Sequence, residues 1–98
     1  MLESNFQQGL KKEIRNMFPG CLVLKNDPTM IDGIPDLTVL YKDRWAFLEV
    51  KKDAKAIRSK KQIYYIERAK QDSFGAFIYP ENKEVVLNDL RRAFGFEG

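Results

Sequence analysis

Phe6, Leu10, Ile14 and Met17 recur at helical spacing through an otherwise polar segment, residues 3–18, and Pro19-Gly20 closes it, which predicts an amphipathic first helix. Residues 21–24 form a short apolar run with strand character, broken by Lys25-Asn26-Asp27-Pro28 and followed by a loop to Pro35. Residues 36–41 and 45–51 predict two strands joined by a tight turn around Lys42-Asp43-Arg44. A basic loop, 52–58, leads to Ser59-Lys60-Lys61-Gln62, a capping-box pattern that opens a second helix. Ile63, Ile66 and Ala69 fall on the inner face of that helix, and Gly75 lies just beyond its end. Residues 76–79 predict a fourth strand stopped by Pro80. Residues 84–94, with Val85, Leu87, Leu90 and Phe94, predict a short strand or turn passing into a terminal helix. The order α, β, β, β, α, β, α describes one α/β domain over 1–98, a mixed β-sheet flanked by helices, without repeats or domain-separating linkers.

A chain of 98 residues has room for one core. Its folded surface scales to about 5,800 Å². A specific nucleic-acid interface takes on the order of 1,000 to 2,500 Å² of protein, so a monomer can grip a short duplex but hardly a branched one. The formal charge is only +3, yet Lys51, Lys52, Lys55, Arg58, Lys60 and Lys61 stand against the single acid Asp53 in one stretch. Such local basicity is what a passing phosphate backbone requires, although a solvated loop and helix end has the same composition.

Cys21 is the only cysteine, which excludes an intramolecular disulfide and points to a reducing compartment. Its place before Leu22-Val23-Leu24 favours a small buried apolar role over a reactive thiol. There is no histidine, so Cys/His zinc sites, a histidine general base and Ser-His-Asp catalysis are all excluded. Any hydrolysis must run on carboxylates, lysine and a hard metal. With neither a signal peptide nor an apolar run of spanning length, the expected location is the cytoplasm, with no membrane partner.

Gly33-Ile34-Pro35-Asp36-Leu37 is followed, thirteen residues after Asp36, by Glu49-Val50-Lys51. Side chains alternate along a strand, so Glu49 and Lys51 share a face. With a two-residue turn at Asp43-Arg44, Lys42 pairs with Trp45, Asp36 lies opposite Lys51 and Thr38 opposite Glu49. Asp36 then lands on the face of Glu49, with diagonal neighbours about 7 to 8 Å apart. A one-residue slip would turn Asp36 away unless a bulge corrected it. Two carboxylates and the Val50 main-chain carbonyl suit Mg²⁺ or Mn²⁺ with several waters. Lys51 is the group to hold the attacking water and to offset charge at phosphorus. Taken singly, Gly-x-Pro-Asp also reads as a loop entering a strand, and Glu49-x-Lys51 as a surface ion pair.

Together these residues resemble the PD-(D/E)xK nuclease superfamily and, within it, the small VRR-NUC domain. The likeness spans an early helical Glu, Gly-x-Pro-Asp-Leu, Phe47-Leu48-Glu49-Val50-Lys51, a Gln on the following helix and Gly75-Ala76-Phe77-Ile78. It implies a restriction-endonuclease-like core, Mg²⁺ or Mn²⁺ dependence and action on DNA. Asp36 and Glu49 would be the metal ligands, Lys51 the water-positioning group, and Glu3 and Gln62 supporting residues, Glu3 as a further metal ligand, with Lys52, Lys55, Arg58, Lys60 and Lys61 along the DNA. Freestanding, phage-type members similar to this chain dimerise and cut branched DNA such as Holliday junctions, in a bacterial or phage-infected host cell. Glu3 also suits the first turn of a helix by its charge, and Glu13 is a rival for its role. Gln62 either completes the capping box with Ser59 or serves the site. The loop 52–58 departs from the family's glycine-containing turn in having no glycine.

Trp45, Tyr64 and Tyr65 could stack on unpaired bases, but core or dimer packing suits Trp45 and Tyr65 better. Three rivals stand beside the nuclease reading: a binding module that kept the fold and lost catalysis, a nuclease of the same fold acting on flaps, nicks or RNA, and a structural subunit whose basic loop meets a protein.

Overall fold

A computed structural model describes residues 3–96. Its elements are α1 (Glu3–Met17), β1 (Leu22–Lys25), β2 (Leu37–Tyr41), β3 (Arg44–Val50), α2 (Lys60–Asp72), β4 (Phe74–Ile78) and α3 (Lys83–Ala93). The four strands form one mixed sheet in the order β1-β2-β3-β4. The first three are antiparallel, and β4 runs parallel to β3 with α2 as the crossover. The α/β class and the mixed sheet flanked by helices are therefore as expected.

Alternation assigns the layers. Leu37, Val39 and Tyr41 of β2, with Ala46, Leu48 and Val50 of β3, point into a buried cluster with Phe6, Leu10 and Ile14 of α1 and Val86, Leu87 and Leu90 of α3. The other face of the sheet receives α2 through Ile66 and Ala69, both fully buried. A Cβ at Gly75 would sit 2.6 Å from the Ile66 carbonyl oxygen and 2.7 Å from Ala69 Cβ. The helix therefore lies on bare backbone there, and no larger residue fits. Because α2 packs chiefly on β3 and β4, Leu22, Leu24 and Leu40 on the same face stay open to solvent, 58%, 45% and 36% exposed.

Four expectations are corrected. The β2–β3 turn is centred on Lys42-Asp43, one residue earlier than expected, because Lys42 takes a left-handed φ of 57°. Tyr41 pairs with Arg44 and Thr38 with Phe47, a two-residue shift that leaves every side chain on its expected face. Ile63 is exposed rather than on the inner face of α2, since the helix meets the sheet along Ile66 and Ala69. Val86, Leu87 and Leu90 bury a true helical stripe, so the last segment is helix from Lys83 onward with no strand before it.

Candidate metal and phosphate site

Asp36 and Glu49 meet where β2 begins and β3 ends. The Asp36 amide donates to Glu49 Oε1 at 3.0 Å, and the Val50 amide donates to Asp36 Oδ2 at 2.9 Å. These reciprocal backbone-to-carboxylate bonds lock the two acids across the strands. Glu49 is only 4% exposed and is the one buried charged residue among those described. Since a strand residue's amide and carbonyl leave on the same side, the Val50 carbonyl is directed toward the Asp36 side as well.

Gln62 ties this pair to α2. Its Nε2 donates to Glu49 Oε2 at 3.0 Å, while its Oε1 accepts from Lys51 Nζ and from the Ser59 amide, each at 3.0 Å. The Ser59 hydroxyl accepts from the Gln62 amide at 3.1 Å, completing the capping box. The choice between capping and site contact thus dissolves: Nε2 serves Glu49, while Oε1 serves Lys51 and the cap together. Lys51 Nζ also donates to the Ile57 carbonyl at 2.8 Å and lies 3.6 Å from Glu49 Oε2.

Placing two acids together in a half-dry corner shifts both. Burial pushes the Asp36 carboxyl up, against the pull of the Val50 amide, Lys51 and Lys25. Burial and then the Asp36 charge push Glu49 up to about 7, with Lys51 opposing. A cation between the carboxylates would offset both the burial penalty and the Asp36 charge that Glu49 feels. The donor set, hard oxygens without sulfur or imidazole, fits Mg²⁺ or Mn²⁺. Among the described residues no group of three or more acidic, thiol or imidazole side chains converges; the oxygens at hand are the two carboxylates and the Val50 carbonyl.

The supporting residues fall in different places. Glu3 lines a cavity of about 260 Å³ with Ser4, Gln7, Gln8, Lys25 and Asp36, which sets it beside the pair without making it a third member. Glu13 instead pairs with Lys83 at 3.0 Å, tying α1 to α3 away from Asp36. Lys52 and Lys55 are exposed on a loop braced by the bond from the Lys55 amide to Asp53 Oδ1 at 2.9 Å. Lys60 is exposed at the start of α2. Lys61 is held by Asp32 at 2.9 Å, and the Arg58 guanidinium lies 4.2 Å from the Phe77 ring centroid, so these two cations already have partners.

Trp45 packs edge-on against Phe47 and Tyr65 against Tyr64, with ring centroids 5.2 Å apart in each pair. Cys21 is half-buried beside the core, and burial pushes its thiol up. Neither the Ile57 carbonyl as a Lys51 partner nor Asn26 is foreshadowed by any local pattern. The Asn26 amide donates to the Asp36 carbonyl at 2.8 Å, and its side chain to the Pro35 carbonyl at 2.9 Å and Thr38 Oγ1 at 2.8 Å. No helix of the described residues is long and apolar enough to cross a membrane. Comparison with protein-family models, with curated proteins and with solved structures finds no match for this chain.

Proposed function

We propose that the chain is a Mg²⁺- or Mn²⁺-dependent endodeoxyribonuclease with a restriction-endonuclease-like core of VRR-NUC type, acting in the cytoplasm on branched DNA such as a Holliday junction. The observation that carries this reading is the pairing of Asp36 with the buried Glu49, bridged by Gln62 to Lys51. A structural ion pair has no need of two part-buried carboxylates fixed side by side, both held toward the neutral form chiefly by burial, whereas a cation site does.

The cation, when bound, supplies Lewis acidity toward the scissile phosphate. The chain's own groups do the rest. Asp36 and Glu49 hold their carboxylates in fixed orientation through the Val50 and Asp36 amides. Lys51 has three protons, and two are committed to Ile57 and Gln62 at 2.8 and 3.0 Å. The third, facing Glu49 at the longer 3.6 Å, is the one free to turn to the attacking water or to a phosphate oxygen as negative charge builds there. Gln62 keeps Lys51 and Glu49 in register while capping α2. Lys52, Lys55 and Lys60 follow the phosphate backbone on that side.

A second copy completes the proposal. The half-sheet left open beside α2 is two strands wide, about 10 Å, and a helix is about 10 Å across. In a two-fold dimer each α2, which exposes Ile63 and Tyr64, can fill the partner's gap over Leu22, Leu24 and Leu40. Two sites would then face two strands of one junction.

The test is cleavage of matched four-way-junction, flap, nicked, linear duplex and RNA substrates with Mg²⁺, Mn²⁺ or EDTA, beside Asp36→Asn and Lys51→Ala. Junction cutting that needs metal and falls on the order of 10²- to 10³-fold or more in either variant supports the proposal. Preference for flaps, nicks or RNA moves the substrate class, and metal-independent binding without any cleavage makes the chain a binding module.

A further inference from the structure

The cavity that Glu3 and Asp36 share, on the opposite flank from Lys51, has side chains without a role in the account above. It holds two primary amides, a hydroxyl and one ammonium, from Gln7, Gln8, Ser4 and Lys25, against the carboxylates of Glu3 and Asp36. Lys25 is the last residue of β1, paired with Leu37, and the next residue, Asn26, is fastened to Pro35, Asp36 and Thr38 by three hydrogen bonds. Its backbone is therefore rigidly placed beside Asp36. Among the described residues Lys25 forms no ion pair, unlike Lys61 and Lys83. Its charge nevertheless reaches the Asp36 carboxylate and favours its ionised form.

We infer that Lys25, with Gln7 and Gln8, forms a second strand-binding subsite that holds the sugar-phosphate backbone of a nucleotide adjoining the scissile bond, on the side of Asp36 away from the basic loop. This inference rests on the nuclease reading. One ammonium faces two carboxylates in this cavity, so a free anion is repelled there. A phosphate delivered as part of a strand already gripped by Lys52, Lys55 and Lys60 can still be held there, because the other flank supplies the affinity and Lys25 reduces the local repulsion. The Gln7 and Gln8 amides can donate to sugar and phosphate oxygens without adding charge. β1 and β3 lie two strand spacings apart, about 10 Å, more than a single phosphate group spans. Lys25 and Lys51 thus address different phosphates of one strand, which would cross the sheet end from β3 to β1.

The experiment is fluorescence-anisotropy binding of labelled four-way-junction DNA in EDTA across a salt series, for the wild type, Lys25→Ala, Gln7→Ala/Gln8→Ala and, on the other flank, Lys60→Ala. Lys25→Ala is expected to weaken binding about three- to tenfold and to lower the salt slope by about one. The double glutamine variant is expected to weaken binding with the slope unchanged. Under cleaving conditions Lys25→Ala should raise KM more than it lowers kcat. Wild-type binding with unaltered affinity and slope in Lys25→Ala would overturn the subsite and leave the nuclease reading standing. No binding by the wild type would remove both. Millimolar inorganic phosphate is expected not to compete; competition that disappears in Lys25→Ala would show a free-phosphate site and overturn the strand subsite. Lys25 is exposed, and an unchanged unfolding temperature keeps the variant interpretable.

Discussion

Strand β2 ends in Tyr41, inside a cluster with Phe18, Phe94 and Phe96, and begins next to Asp36, inside a network of two carboxylates, an ammonium and an amide. At the aromatic end Phe18 is fully buried, its ring 5.0 Å from Phe94 and 5.4 Å from Tyr41. Edge and tilted ring contacts add to area burial there, and no charge is left dry. At the polar end a buried glutamate sits against a second acid, and both resist ionisation. About 17 Å of strand at most separates the two regimes. One end of the sheet holds the fold together, and the other carries a destabilising acid pair, the pattern that motivates reading it as a cation site.

Breaking the aromatic end should have the largest effect on stability. Phe18→Ala removes a ring from a fully packed position and should lower the free energy of unfolding by about 3–5 kcal/mol, a large share of the 5–15 kcal/mol typical of such a domain. Denaturant unfolding measures it. Because the site lies at the far end of the strands, DNA affinity per folded molecule should be unchanged, and a variant that folds well but binds poorly would contradict the separation.

Breaking the polar end should do the opposite. The folded pKa of Glu49, about 7, lies above its ordinary 4.5, so the native state holds the proton more tightly than the unfolded chain. The stability this residue contributes is complete below about pH 4.5 and is lost as pH rises through about 7. Asp36, also raised, acts in the same direction. Without metal, the wild type should therefore lose stability relative to Glu49→Gln by on the order of 2–3 kcal/mol as the pH rises from 4.5 to 8. A gap that does not change with pH would deny the strain assigned to the pair.

A smaller effect sharpens the link between helix and site. Ser59→Ala removes the hydroxyl half of the capping box and should cost about 1 kcal/mol of stability. Gln62 keeps its bonds to the Ser59 amide, Lys51 and Glu49 in that variant, so cleavage should fall less than in Gln62→Ala. Equal losses in the two would mean that the cap, not the carboxamide, orients the site.

The two ends were not equally legible in the sequence. Alternation along β3 put Glu49 and Lys51 on one face, and the capping-box spacing put Gln62 at the start of α2, because both depend on local periodicity. The register was misread since a lysine gives little warning of a left-handed φ, as at Lys42. Facing survived because the shift was even. Gln7, Gln8 and Lys25 were invisible as a group: only the packing of α1 against β1 and the pairing of β1 with β2 bring them to Asp36. The start of α3 was obscured because Val85 and Leu87 mimic strand alternation, whereas the buried stripe runs through Val86, Leu87 and Leu90. The aromatic end draws Phe18, Tyr41, Phe94 and Phe96 from three distant segments, which no local pattern announces.

The most direct measurement is calorimetric titration of the protein with Mn²⁺ at pH 8, for the wild type, Asp36→Asn and Glu49→Gln. The account predicts saturable binding in the wild type that either substitution abolishes or weakens at least tenfold, with the cation raising the wild-type unfolding temperature. Mn²⁺ binding of equal strength in all three proteins, or none in the wild type, would contradict the claim that Asp36 and Glu49 are held together for a cation.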